Sequence, residues 1–220
     1  MHGEQLHKLA LRSYVGQRTV KVVGQKGMGS GFFVKAPSGK TFILTNKHVC
    51  NTTTKEYIKV VIQPSQEAFE SKILQRSEAH DLCLIEAPTD ITGLSIASNA
   101  TAGESVGLIG HPQGWPLTLS RGEILGPTVI QLVTGVQDLG EEKDGFCPEG
   151  EVVDIIFKQL CVEDRTATQL FIYSKAGSSG SPLVNFYGSI VGILFAGNPQ
   201  DQFNSFAVPL YHIKGFLKDK

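Results

Sequence analysis

At 220 residues, with a formal net charge of −1 and 41% hydrophobic residues, the chain has the make-up of an ordinary globular protein, long enough for one large domain or two small lobes. That charge balance argues against nucleic acid or an anionic membrane as partner, and the longest apolar stretches, such as Ile190 to Ala196, are far too short to cross a bilayer.

Met1 to Ala10 contains no apolar core of signal-peptide length, so a cytoplasmic protein is expected. Residues 4 to 14 place Leu6, Leu9, Ala10 and Tyr14 on one face of a short amphipathic helix. Arg18 to Val23 alternates like a strand, with β-branched residues at 19, 20, 22 and 23. Gly27 to Ala36 and Lys40 to Thr45 read as a hairpin turned by Pro37-Ser38-Gly39. Tyr57 to Gln63, Glu67 to Gln75 and Leu82 to Glu86 follow, enough strands before Pro88 to close a small barrel. A second set comprises Ser105 to Gly110, Leu117 to Leu125, Thr128 to Thr134, Val152 to Leu160, Gln169 to Tyr173, Pro182 to Phe186, Ser189 to Phe195 and Ser205 to Val208, with a hairpin turn at Tyr187-Gly188. Leu210 to Lys220 reads as a short helix with Ile213, Phe216 and Leu217 inward. Alternating patterns with frequent turn signals and little long helix indicate an all-β protein.

The chemistry concentrates at Gly177-Ser178-Ser179-Gly180-Ser181-Pro182-Leu183-Val184. Two glycines permit backbone angles closed to other residues, so this is a tight turn entering a strand. Such a turn can present a serine hydroxyl beside convergent backbone N–H groups, the arrangement acyl transfer needs; alone, it is equally a Ser/Gly hairpin loop. A serine needs a base, usually histidine, oriented by a carboxylate. Thr41 to Cys50 is an apolar strand running into His48, and Ala79-His80-Asp81-Leu82 puts Asp81 at the mouth of another; singly, these residues also suit a loop and a turn. His48, His80 and His111 lack metal-ligand spacing, and neither metal nor cofactor is expected.

With the order His, Asp, Ser, the segments Gly27 to Val34, Thr45 to Val49, His80 to Ile85 and Gly177 to Asn185 resemble the chymotrypsin/trypsin-like serine peptidases, above all their HtrA/Deg branch. Gly110-His111-Pro112-Gln113-Gly114 and Asn204 to Pro209 are similar to further segments of that family. The resemblance implies two six-stranded antiparallel β-barrels with short terminal helices: one protease domain over 1–220, barrel one about 15–90, barrel two about 103–208 and a helix at 210–220. It makes His48 the general base, Asp81 its orienter and Ser179, between the two glycines, the nucleophile, with Ser181 as rival. Gly177 and Ser179 N–H would form the oxyanion hole. Tyr173, six residues before Ser179, would floor the primary specificity pocket and Ala196 and Gly197 would wall it, which argues against trypsin specificity and leans toward an apolar residue before the cut. Phe195 stands where many relatives carry a serine that contacts the aspartate, so Asp81 must be supported otherwise. No activation terminus of the Ile-Val-Gly-Gly kind is seen near residue 15, and a bare protease domain, without the PDZ domain common in the HtrA branch, is the expectation. The function implied is a serine endopeptidase acting on polypeptides; the alternative is a protease-fold peptide-binding or chaperone-like module with little or no turnover.

Two regions stand apart. Cys50 and Cys83, each two residues past His48 and Asp81, read as reduced core positions. Cys147 and Cys161 could pair, with a gain of roughly 3 kcal/mol from chain entropy, but are expected to stay reduced in a cytosol. Residues 136–154 carry seven acidic side chains against Lys143, which suits a solvated loop more readily than the alternative, a recognition surface for basic substrates.

Overall fold

The computed structural model describes residues 2–63, 65–88, 91–139, 147, 150–156 and 158–220, with side chains from residue 7 onward. The helix α1 (His2–Gly16) leads into β1 (Thr19–Val23), β2 (Met28–Lys35), β3 (Thr41–Thr45), the single turn of helix α2 (Lys47–Cys50), β4 (Tyr57–Ile62), β5 (Ala68–Ser77) and β6 (Leu82–Glu86). These six strands close a barrel in the order β1-β2-β3-β6-β5-β4, with β4 returning to β1. Alternation sends Val20, Val22, Phe33, Ile43, Val60 and Ile85 into one buried cluster.

The second sheet comprises β7 (Ser105–Gly110), β8 (Thr118–Asp138), β9 (Glu151–Ile155), β10 (Lys158–Ile172), β11 (Pro182–Val184), β12 (Ile190–Asn198) and β13 (Asp201–Pro209), followed by helix α3 (Leu210–Leu217). Its order is β13-β12-β11-β7-β8-β10-β9, and a further pairing of β10 with β13 brings six of the strands round into a ring. Leu108, Leu170, Ile172, Leu183 and Leu194 fill its core. The fold is the expected all-β, chymotrypsin-like pair of barrels with short terminal helices.

Several details differ from the sequence reading. In α1 the side chains turned inward are Leu11 and Val15, with Leu9 63% exposed. The helix is rotated from the predicted face because Leu11 packs at Gly107 and Gly188. The break expected at Gly126-Pro127 is absent: Gly126 takes φ 140°, open to glycine, and β8 runs on through it. Conversely, Val152 to Leu160 is not one strand. The chain reverses after Ile155 and returns as β10, pairing Lys158 with Ile155 and Cys161 with Val152, at a site with no glycine or proline to mark it.

By contacts the chain divides into a unit of residues 1–126 and 168–220 and a unit of residues 127–167. The smaller is built on β9 and the adjoining stretches of β8 and β10, with hydrogen bonds from Thr134 to Glu163 and from Gln137 to Gln159. Much of its apolar surface faces solvent, including Val129, Val133, Val152 and Ile156. Of the acidic stretch, residues 140–146, 148 and 149 lie outside the described residues.

The cysteines overturn the expectation of reduced thiols. Cys50 bonds Cys83 and Cys147 bonds Cys161, with Cα separations of 6.5 and 5.2 Å. The partner of Cys50 comes from β6, which lies beside β3 with Cys83 opposite Thr45; sequence order conceals this neighbourhood. The buried Cys50–Cys83 bond closes a separation of 33 residues, a loop for which chain entropy suggests about 4 kcal/mol. Replacing both cysteines with alanine is therefore expected to lower the unfolding free energy by about 3–4 kcal/mol in urea titration. A loss below about 1 kcal/mol would mean that the cross-link restrains little of the unfolded chain.

Candidate active site

The apolar strand β3 ends at Thr45, Asn46 stands at the N-cap and α2 starts at once, so His48 sits on a turn of helix whose neighbours Val49 and Cys50 are buried anchors. Asp81 closes the turn before β6 with φ 52°, a left-handed conformation that Asp and Asn tolerate better than other side-chain-bearing residues. It is only 4% exposed. Its Oδ2 lies 2.8 Å from His48 Nδ1, and its Oδ1 accepts the backbone N–H of His48 at 2.9 Å. An ionised carboxylate only accepts, so Nδ1 carries the hydrogen and Nε2 keeps a free lone pair. The Asp81 carbonyl in turn accepts from Asn46 Nδ2 and from Lys47 N–H, each at 3.1 Å. The support that Phe195 does not provide thus includes the backbone of His48 itself.

The serine turn belongs to the second barrel. Gly177 and Gly180 take φ 88° and 84°, and neither position has room for a Cβ: at Gly180 it would lie 2.0 Å from Ser30 O. Ser181 is fully buried, its Oγ without a hydrogen-bond partner among the described residues, and Ser178 is 3% exposed. Ser179 alone of the three is half-open to solvent. A Cβ on Gly29 would lie 2.6 Å from Val49 Cγ2 and 2.9 Å from Ser179 O, so the helix carrying His48 and the turn carrying Ser179 meet over that glycine. Among the described residues, neither Gly177 N–H nor Ser179 N–H is taken up by a backbone carbonyl.

Tyr173, Ala196 and Gly197 are placed less simply. The Tyr173 ring is tilted against Phe203 at 5.6 Å, with Lys175 Nζ 5.5 Å from its centroid. Ser174, rather than Tyr173, is the side chain that meets Gly197: a Cβ there would lie 2.8 Å from Ser174 Oγ. Ser174 Oγ in turn bonds Ser205 Oγ at 2.8 Å, a buried hydroxyl pair that no sequence pattern marks. Ala196 and Gly197 pair with Phe206 and Ser205 of β13, while β11 starts with Pro182 opposite Ile193 and runs the other way to Val184 opposite Ile190, so β11 leaves their other edge uncovered. Sequence reasoning also assigned no role to Ser30, His111 or Gln113, although it singled out their segments; all three touch the serine turn or its supports.

Burial lowers the pKa of His111, Lys21 lowers it further, and a hydrogen bond to the Trp115 carbonyl only partly offsets this. Burial and the stacked His80 ring likewise lower that of His212 on α3. Both take up a proton less readily in the fold than in the unfolded chain, so as pH falls below about 6.5 the unfolded chain takes up protons first and stability declines. Thermal melting is expected to drop between pH 7.5 and 5.5. The drop should be shallower in His111→Asn, whose amide can replace Nδ1–H; an equal drop in that variant would clear His111 of the effect.

Two antiparallel barrels with a buried aspartate behind a histidine and an open serine between glycines define the chymotrypsin-like serine peptidase class. The profile of the trypsin-like peptidase domain matches residues 29–193, and the chain belongs to that family. It is 26% identical over 203 residues to the serine protease Do-like HtrA of Bacillus subtilis, covering 89% of this chain and 39% of that protein. To the periplasmic pH-dependent serine endoprotease DegQ of Escherichia coli it is 28% identical, over 76% of this chain and 31% of that protein. The chain thus spans well under half the length of these relatives. The Rv3671c protease of M. tuberculosis H37Rv, in an inactive form, superposes with a TM-score of 0.71 at 21% identity, covering 97% of this chain and 91% of that one, a likeness of fold.

The expectation of a cytoplasmic protein does not stand. DegQ is described as periplasmic, and the chain's two disulfides are bonds that persist in oxidising compartments and are rare in the cytosol. Among the described residues no helix is long and apolar enough to cross a membrane.

Proposed function

We propose that residues 1–220 act as one protease domain, a serine endopeptidase whose partner is a polypeptide, with neither nucleic acid nor membrane in the reaction. The observation that carries this reading is the buried Asp81 carboxylate gripping both the ring and the backbone of His48, near the one half-open serine of the turn. Ser179 Oγ attacks the scissile carbonyl carbon while His48 Nε2 takes its proton. The oxygen that becomes negative is received by the N–H groups of Gly177 and Ser179. As the tetrahedral adduct collapses, the C–N bond breaks and His48 gives its proton to the departing amine. Water, deprotonated by His48, then attacks the ester carbon, and Ser179 leaves with the proton.

The uncovered edge of Ala196 and Gly197 supports addition of the substrate backbone as a strand. Tyr173, Ala196 and Gly197 favour an apolar residue before the cut, since no carboxylate stands at position 173 to hold Arg or Lys. Labelling with a fluorophosphonate, followed by peptide mapping, tests the assignment. A single adduct on Ser179 is expected; an adduct on Ser181, or none, would overturn the nucleophile or the peptidase reading respectively, and the latter result would favour a binding module.

A further inference from the structure

Ser30 lies on β2 of the first barrel and is fully buried, yet its polar groups reach the second barrel's serine turn. Its N–H donates to the Ser179 carbonyl at 2.7 Å, and its Oγ donates to the Gly177 carbonyl at 3.0 Å. The same Oγ accepts the His111 N–H at 2.9 Å, and the Ser30 carbonyl accepts Thr45 Oγ1 at 2.6 Å. Beyond His111 the backbone makes one tight turn, with Gln113 at φ 54° and Gly114 at φ 72°. That turn aims the Gln113 N–H at the Ala176 carbonyl, 2.6 Å away. The approach is so close that a Cβ on Gly177 would lie 2.8 Å from both Gln113 N and His111 O.

Both peptide groups flanking Gly177 are therefore held by their carbonyls. A trans peptide keeps its N–H opposite its C=O. Anchoring the Ala176 carbonyl on Gln113 thus directs the Gly177 N–H away from the 111–114 turn. Anchoring the Gly177 carbonyl on Ser30 fixes the next plane, and the bond from Ser30 N–H holds the far side of Ser179. We infer that Ser30 is a positioning residue: with the Gln113 N–H it clamps the serine turn so that the N–H groups of Gly177 and Ser179 are aimed before substrate arrives. This rests on the assignment of those two groups as oxyanion donors. Donors of this kind stabilise charge only to the extent that they need no reorganisation when it develops, so the clamp acts on the transition state rather than on substrate binding.

The test is Ser30→Ala in the full chain, with Ser30→Cys as the conservative variant. In Ser30→Ala, kcat is expected to fall about 10- to 100-fold with KM changed by less than about threefold. The affinity of a peptide boronate, which forms a tetrahedral adduct, should fall in proportion to kcat, while that of a cleaved product peptide should hold. Ser30→Cys, with a weaker donor of similar shape, should fall between. Amide exchange over residues 176–181 should quicken in Ser30→Ala. An unchanged kcat, or a lowered melting point with kcat and boronate affinity intact, would overturn the inference. If Ser30→Ala does not fold, the exposed Gln113 supplies the second test. Gln113→Val, β-branched at a left-handed φ, should lose kcat, whereas Gln113→Gly should keep it; equal activity of the two would reject the clamp. Should the wild-type chain carry no fluorophosphonate adduct, the peptidase reading fails separately and amide exchange still decides: faster exchange in Ser30→Ala upholds the clamp, and unchanged exchange rejects it.

Discussion

Ser179→Ala is expected to lower kcat by up to about 10⁶-fold, some 8 kcal/mol of transition-state stabilisation, with no change in melting temperature. The loss is this large because the turn offers His48 no second serine nucleophile: the hydroxyl of Ser181 is fully buried and Ser178 is only 3% exposed. Removing Ser179 Oγ also opens no core cavity, since the residue is half-exposed. Ser181→Ala, which deletes a buried hydroxyl lacking a partner among the described residues, should leave kcat within a few-fold and the fold no less stable. Steady-state hydrolysis of a fluorogenic peptide library by the two variants, with melting curves on both, makes the comparison. Comparable losses from both substitutions would move the nucleophile away from Ser179.

Asp81→Asn should cost about 10⁴ in kcat near neutral pH, roughly 5.5 kcal/mol, while unfolding like the wild type. Three features of the site make this substitution clean. Asn is at home at φ 52° as Asp is. Its side-chain oxygen can still accept the His48 N–H now held by Oδ1. Its amide, however, donates where Oδ2 accepted, so His48 Nδ1 must turn acceptor and the hydrogen moves to Nε2, the atom that should receive the serine proton. Product-peptide binding should hold while turnover nearly stops. Near-normal turnover with an unchanged melting curve would show that the carboxylate serving His48 lies elsewhere.

Alternation of apolar residues was enough to find most strands, because a half-buried strand writes its two faces directly into its sequence. The errors arose where that signal is silent. The β9–β10 turn has no glycine or proline, and the exposed residues of Glu151–Ile155 carry no inward face to read. Gly126-Pro127 has the opposite defect, a strong turn signal overridden by pairing along β8. The rotation of α1 by about one residue depends on what it packs against, which local periodicity does not contain.

The linear chain by itself determined the chemistry on offer: a strand running into His48, an aspartate at the mouth of β6, and a serine-glycine turn before an apolar strand. These are local, because each needs only its own neighbours to make a turn or an exposed end. Which serine faces solvent, how Asp81 holds both ring and backbone of His48, and that Cys50 meets Cys83 were decided by tertiary structure alone. So was the grip of Ser30 on the serine turn, 147 residues away from Gly177 in sequence. Such contacts join groups whose separation along the chain carries no trace of their nearness, and only the closure of the barrels brings the carbonyls of one within reach of the donors of the other.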